Sequence, residues 1–334
     1  MQVLTNAPGH RYSETWRTVA CFKAAPRGGM WALLRHALSL YHESRKYDCV
    51  VLGGGHRADS LYCLIAALLP LRRPPCVRID CLWYMPRTRL QRQLKRWQLR
   101  LESRAVDAYV VWAKREIEAY ARAFGLSPDR IFFIPYHHTL NRVALEPWDG
   151  GYVFSGGNFG RDYETLLAAV RGLPVDVRIA CSRPELFRGL DVPPNVDIRG
   201  YTHEEFLRAL AGCRVNVVAL QPGVLHSGGQ QTFLNSMALG KPTIVTDPDG
   251  AAEYIEQGVT GLLVEPGNAP KLRQSIVSLL QDSAAASRMG QRAMVAGRRR
   301  TTEAHFKELV ALIEGHVLAK DRAPRRAPGH PARP

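Results

Sequence analysis

Residues 217–245, VVALQPGVLHSGGQQTFLNSMALGKPTIV, decide the fold. They open on an apolar, β-branched run and cross a loop holding Pro222, Gly223 and the turn Ser227-Gly228-Gly229-Gln230. A helix-sized pattern follows to Leu239, and Gly240-Lys241-Pro242 leads into a second apolar run. Strand, glycine-rich loop, helix and strand make a βαβ unit. The N–H groups of the helix's first turn lack intrahelical partners, and its dipole favours an anion by about 0.3–1 kcal/mol when exposed. The glycines let a phosphate approach the backbone, and the Ser227 and Thr232 hydroxyls add donors. An ordinary N-cap and tight turn use the same residue types, so spacing alone leaves both readings open.

The same alternation runs through the chain. Short apolar runs at 18–22, 49–53, 76–80, 108–112, 131–134, 152–155, 175–181, 196–199, 215–220, 243–246 and 261–264 read as strands buried on both faces. Helical patterns separate them, including 30–42, 59–69, 88–103, 115–124, 162–171 and 203–211. The pattern predicts an α/β protein with doubly wound parallel sheets. A Pro- and Gly-bearing, aperiodic stretch after Ile134 predicts a linker between two such halves. The expected units are 1–146, 147–301, a helix at 302–319 and a disordered basic tail at 320–334. Two doubly wound halves face each other across a cleft, and ligands bind at the carboxyl ends of their strands.

Composition narrows the function. The chain has 334 residues, 46% hydrophobic and 22% charged, which suits a globular protein. Forty-five Lys and Arg against 30 Asp and Glu give a net charge of +15 and point to a phosphate-rich partner. No apolar run approaches the roughly 20 residues that span a bilayer, and the N-terminus lacks a secretory pattern. Seven cysteines in mostly apolar surroundings, without a Cys-x-x-Cys pair, predict reduced thiols in a cytoplasmic protein. Nucleic-acid binding has charge in its favour but no recognisable motif, so no nucleic-acid partner is expected.

Residues 131–282 resemble the nucleotide-sugar-binding half of group 1 (family four) glycosyltransferases with the GT-B fold. The resemblance lies in Ser227-Gly228-Gly229-Gln230 through Asn235-Ser236-Met237-Ala238-Leu239-Gly240-Lys241-Pro242. It continues in Ile244-Val245-Thr246-Asp247, Gly250-Ala251-Ala252-Glu253 and residues 258–264. It implies transfer of a sugar from a nucleoside-diphosphate sugar to an acceptor hydroxyl, with retention of configuration and no metal or other cofactor. The family pattern has a Glu where this chain has Ser227 and a second Glu where it has Asn235. By the resemblance, Asn235 holds ribose through its amide, while Ser227 leaves the grip on the donor sugar open. Glu253 braces the donor loop. Those two replacements keep in view a protein that binds a nucleotide sugar without transfer; the epimerase branch of the same fold, which works on a UDP-sugar without an acceptor, is a further alternative.

The first strand of that half, ending Gly156-Gly157-Asn158-Phe159-Gly160-Arg161, matches the place where relatives clamp the diphosphate. Arg161 there would stabilise the leaving group's charge. Ser182 and Tyr201 end the next two strands, where relatives pack the base, and His226 precedes the phosphate loop. In the first half, His56 and Asp80 follow strand ends and are candidates to orient the acceptor or take its proton. The acceptor itself is unidentified. Residues 87–104 carry Arg87, Arg89, Arg92, Lys95, Arg96, Arg100 and Arg104 with Leu90, Leu94, Trp97 and Leu101 at helical spacing. Two readings fit: a helix packed by its leucines with a solvated basic face, or an amphipathic helix resting peripherally on the anionic inner face of a membrane.

Overall fold

In the computed structural model, described for residues 1–319 apart from 10, 27, 54–55, 70–72, 87 and 141–144, the apolar runs become strands. Val50, Val51, Val77, Val110, Val153, Val217 and Ile244 are wholly buried, as strands covered by helices on both faces require. Burial of each such side chain contributes roughly 1.5–3 kcal/mol.

The strands form two parallel six-stranded sheets. The first has β1 (Val3–Thr5), β2 (Ala20–Phe22), β3 (Cys49–Leu52), β4 (Cys76–Arg78), β5 (Ala108–Val111) and β6 (Ile131–Phe133), in the order β2-β1-β3-β4-β5-β6. The second has β7 (Tyr152–Gly156), β8 (Asp176–Ala180), β9 (Val196–Arg199), β10 (Cys213–Val218), β11 (Thr243–Val245) and β12 (Leu262–Leu263), in the order β12-β11-β10-β7-β8-β9. The order reverses between β7 and β10, so the loops after these two strands flank the switch point where such sheets bind ligands.

The site depends on five helices: α3 (His56–Leu68), α4 (Arg89–Glu102), α5 (Arg115–Phe124), α8 (Gln230–Ala238) and α12 (Thr302–Leu312). The last returns to the first sheet. Phe306, Leu309 and Ile313 join Val3, Ala7 and Trp16 in one core, and Phe306 stacks on Trp16 at 4.9 Å. The Glu303 carboxylate accepts from Ser13 Oγ and Thr15 Oγ1 beside helix α1 (Glu14–Val19). The chain therefore crosses between halves twice. The basic tail at 320–334 and Arg87 lie outside the described residues.

Helix α4 leaves its apolar stripe uncovered. Leu90, Leu94 and Trp97 are 66%, 59% and 68% exposed. Its inward side instead carries Leu99 and Glu102, whose carboxylate pairs with buried Arg78 and accepts from Gln98. All seven cysteines are free thiols and all but Cys21 are buried. Among the described residues no helix is long and apolar enough to cross a membrane.

Candidate active site between the two sheets

Two glycine positions shape the loop after β7. Gly157 has φ 139°, and a Cβ there would fall 2.5 Å from the Arg161 guanidinium. The missing side chain is what lets Arg161 fold beneath the loop. Arg161 Nε donates to the Gly156 carbonyl at 2.9 Å, Nη1 to the Phe159 carbonyl at 3.2 Å and Nη2 to Thr232 Oγ1 at 3.4 Å. A guanidinium has five N–H donors, so others remain for a ligand. The side chain is 8% exposed and forms no salt bridge among the described residues. Burial lowers its pKa.

Thr232 sits in the first turn of α8, whose N-cap is Gly229 at φ 82°. A Cβ at Gly229 would lie 2.6 Å from Val218 Cγ1, so conformation and packing both demand glycine here. No side chain caps α8. The free N–H groups of its first turn lie beside Arg161, and among the described residues neither is bonded to a carboxylate. Gln230 Nε2 and His226 Nδ1 are buried without partners. Burial, then Arg115, lowers the His226 pKa to about 4, so the ring is neutral.

Ser227 faces the other domain. Its N–H donates to Glu116 Oε1 at 2.5 Å, and its Oγ accepts from Arg115 Nε at 3.0 Å. Arg115 Nη2 also pairs with Asp247 Oδ2 at 2.7 Å. The second Glu116 oxygen accepts from the Trp112 and Ala113 N–H groups. Burial raises the Glu116 pKa to about 7 against the pull of those three N–H donors. Sequence reading missed Arg115, Glu116 and Asp247. The first two begin α5 at the carboxyl end of β5, where the strand-end rule that selected His56 and Asp80 also points.

The other expected residues divide. Asn158 Oδ1 accepts from the Ser182 N–H at 2.9 Å, which joins the β7 and β8 loops. Glu253 lies across the cleft, accepting from the Lys114 N–H at 3.3 Å rather than touching the donor loop. Asn235 is wholly buried and its amide is used on the linker, accepting from the Thr139 N–H at 2.7 Å and donating to Thr139 Oγ1 at 3.0 Å. Tyr201 lines a separate cavity of about 380 Å³ with Arg178, Arg199 and Arg208, away from Arg161. Gly228 flanks Leu220 in the donor loop. The side chain of His56 lies outside what the structure describes.

Asp80 follows β4 at φ 55°, the one non-glycine residue with positive φ among those described. Strain of this kind gathers at functional sites. Burial, with Asp59 adding repulsion, raises its carboxyl pKa to about 7. That value suits a proton acceptor at neutral pH. Asp247-Pro248-Asp249 is an Asp-x-Asp run, and Asp247 caps helix α9 (Pro248–Ala251) besides pairing with Arg115. No group of three or more His, Cys, Asp or Glu among the described residues is placed to hold a metal ion.

The family model "Glycosyl transferases group 1" matches residues 163–282, from the helix after Arg161 to the end of α10 (Ala269–Gln281) and one residue beyond. A search of curated proteins by sequence finds no match. Among solved structures the fold is similar to Anabaena HepE in complex with UDP and glucose, at 15% identity and TM-score 0.71 over 93% of this chain and 99% of that one. It is similar to sucrose-phosphate synthase from Thermosynechococcus elongatus, at 18% identity and TM-score 0.65 over 92% and 84%. The lipopolysaccharide outer core galactosyltransferase WaaB, in its apo form, aligns at 13% identity and TM-score 0.64 over 94% and 99%. Residues 163–282 thus match the group 1 glycosyl transferase model, and the chain as a whole has the two-sheet GT-B fold of these solved structures.

Proposed function

We propose that the second domain holds a nucleoside-diphosphate sugar and the first presents an acceptor hydroxyl to it. The observation that carries this reading is Arg161, a buried cation without a carboxylate partner among the described residues, beside the uncapped N-terminus of α8. A buried charge is costly unless paired, and a diphosphate supplies the missing anion. The HepE structures contain UDP and UDP-glucose, which makes a uridine nucleotide the first donor to try.

In this reading the bond from the anomeric carbon to the diphosphate oxygen breaks while the bond to the acceptor oxygen forms. Arg161 and α8 neutralise the charge growing on the diphosphate, so no metal is required. Asp80 takes the proton of the acceptor hydroxyl. Retention, which the family resemblance implies, requires the acceptor oxygen to enter on the face that the diphosphate leaves, since in-line displacement would invert the carbon. The expected setting is the cytoplasm or the inner face of a membrane. Incubation with labelled UDP-sugars and a lipid extract tests it. Label should pass to the extract with wild-type protein and fall by more than about tenfold with Arg161→Ala. Epimerised UDP-sugar without transfer would replace this reading with the epimerase one.

A further inference from the structure

A cavity of about 750 Å³ opens beside the cleft, within the roughly 300–1,000 Å³ of small-molecule sites. Leu61 and Leu64 of α3, with Leu82, Trp83 and Tyr84 of the β4–α4 loop, give it an apolar wall, and Lys95 of α4 adds a cation. Arg78, also in the lining, is neutralised by Glu102. Lys95 forms no salt bridge among the described residues, and exposed Arg57 adds a second positive charge. An apolar chamber with a cationic lining matches a hydrocarbon chain ending in an anion.

The position joins this chamber to the donor loop. Phe159 of the second domain lines it, and the Phe159 carbonyl accepts from Arg161. Tyr84 meets His226 edge-on at 4.4 Å. Away from the cleft, Met30 lines the cavity and is exposed, and Trp31 beside it is 78% exposed. Along α4, exposed Leu90, Leu94 and Trp97 are interleaved with exposed Arg89, Arg92, Arg96 and Arg100. Apolar side chains set among arginines are what an anionic bilayer surface attracts.

We propose that the acceptor is an amphiphile with an anionic head group, drawn from an anionic membrane on which α4 rests, with its hydrocarbon tail in this cavity. The head group, held by Arg57 and Lys95, then carries its hydroxyl toward the donor loop. This rests on the transfer reading above and names its substrate class.

The test uses dodecyl phosphate below its micelle concentration, followed through Trp83 fluorescence, with butyl phosphate and dodecanol as the two halves of the chemistry. Dodecyl phosphate should bind at least about tenfold more tightly than either. Leu64→Trp, which fills the chamber, and Lys95→Gln, which removes the cation, should each weaken it while UDP binding stays at the wild-type level. In a second arm, vesicles containing phosphatidylglycerol should sediment the wild type, and Leu94→Asp with Trp97→Asp should abolish this without changing dodecyl phosphate binding. Equal binding of butyl and dodecyl phosphate, or full binding by Leu64→Trp, overturns the proposal, as does indifference to vesicle charge. Failure of UDP to bind a protein that still takes dodecyl phosphate overturns the transfer reading and leaves the cavity assignment standing.

Discussion

Arg115 of the first domain holds Ser227 of the second, its Nε donating to the hydroxyl at 3.0 Å. The adjacent Glu116 takes the Ser227 N–H and the same guanidinium pairs with Asp247, so two contacts on the donor loop and a third at the end of β11 fasten the second domain to the first. The Ser227 position is neutral in this chain, and the charge facing it comes from Arg115 and Glu116 across the cleft.

Arg115→Ala should therefore loosen the cleft. Hydrogen bonds to charged groups contribute about 1.5–3 kcal/mol when buried, and partial exposure of this pair reduces that to about 1 kcal/mol. Small-angle scattering should show a larger radius of gyration for the variant and a raised KM for the donor. Scattering superimposable on wild type would mean that other contacts keep the cleft shut.

Asp80 should set the acidic limb of activity. A proton acceptor must be ionised, and its pKa is held near 7, so kcat/KM should fall as pH drops below about 7. Asp80→Asn should remove that limb and lower kcat by about 10²–10⁴-fold. The raised pKa also means the folded state loses stability as pH rises toward 7, so the Asn variant should melt higher than wild type above pH 7. An unchanged limb in Asp80→Asn would remove it from the proton path.

Much of the fold is legible because parallel strands covered on both faces read as continuous apolar runs. β3 and β10 are the clearest. β1 was missed: Val3–Thr5 is three residues long and is recognisable as a strand only through its pairing with β2 and β3. The helical pattern at 302–318 was visible, but periodicity shows that a face is apolar, not which sheet receives it. Phe306 finds its partner at Trp16, nearly the whole chain away. The site follows the same rule. Arg161 and Asp80 follow strand ends, and Gly229 a glycine-rich helix start, that sequence can locate, whereas the Arg115–Ser227 contact joins residues 112 positions apart. The exposed Leu90–Leu94–Trp97 face is a matter of which way α4 is turned, and Glu102 bonding inward to Arg78 sets that.

His305 should make stability pH-dependent where the linker meets α12. Its Nδ1 lies 2.8 Å from the Pro135 carbonyl, and burial with nearby His137 lowers its pKa from 6.5 to about 4. A lowered histidine pKa stabilises the fold above pH 6.5 and is lost as pH falls toward 4. The gap between wild type and His305→Asn in urea unfolding should narrow over that window by up to about 1.4 kcal/mol per pH unit. Parallel pH curves would show that this ring stays uncoupled from protonation.

The most direct measurement is calorimetric titration with UDP, GDP, dTDP and ADP, without added metal, on wild type and Arg161→Ala. One diphosphate should bind wild type selectively in the micromolar range, and the variant should lose that binding while unfolding at the same or a higher urea concentration, since it no longer buries an unpaired charge. No binding to any of the four, or equal binding by both proteins, would contradict a diphosphate site built on Arg161.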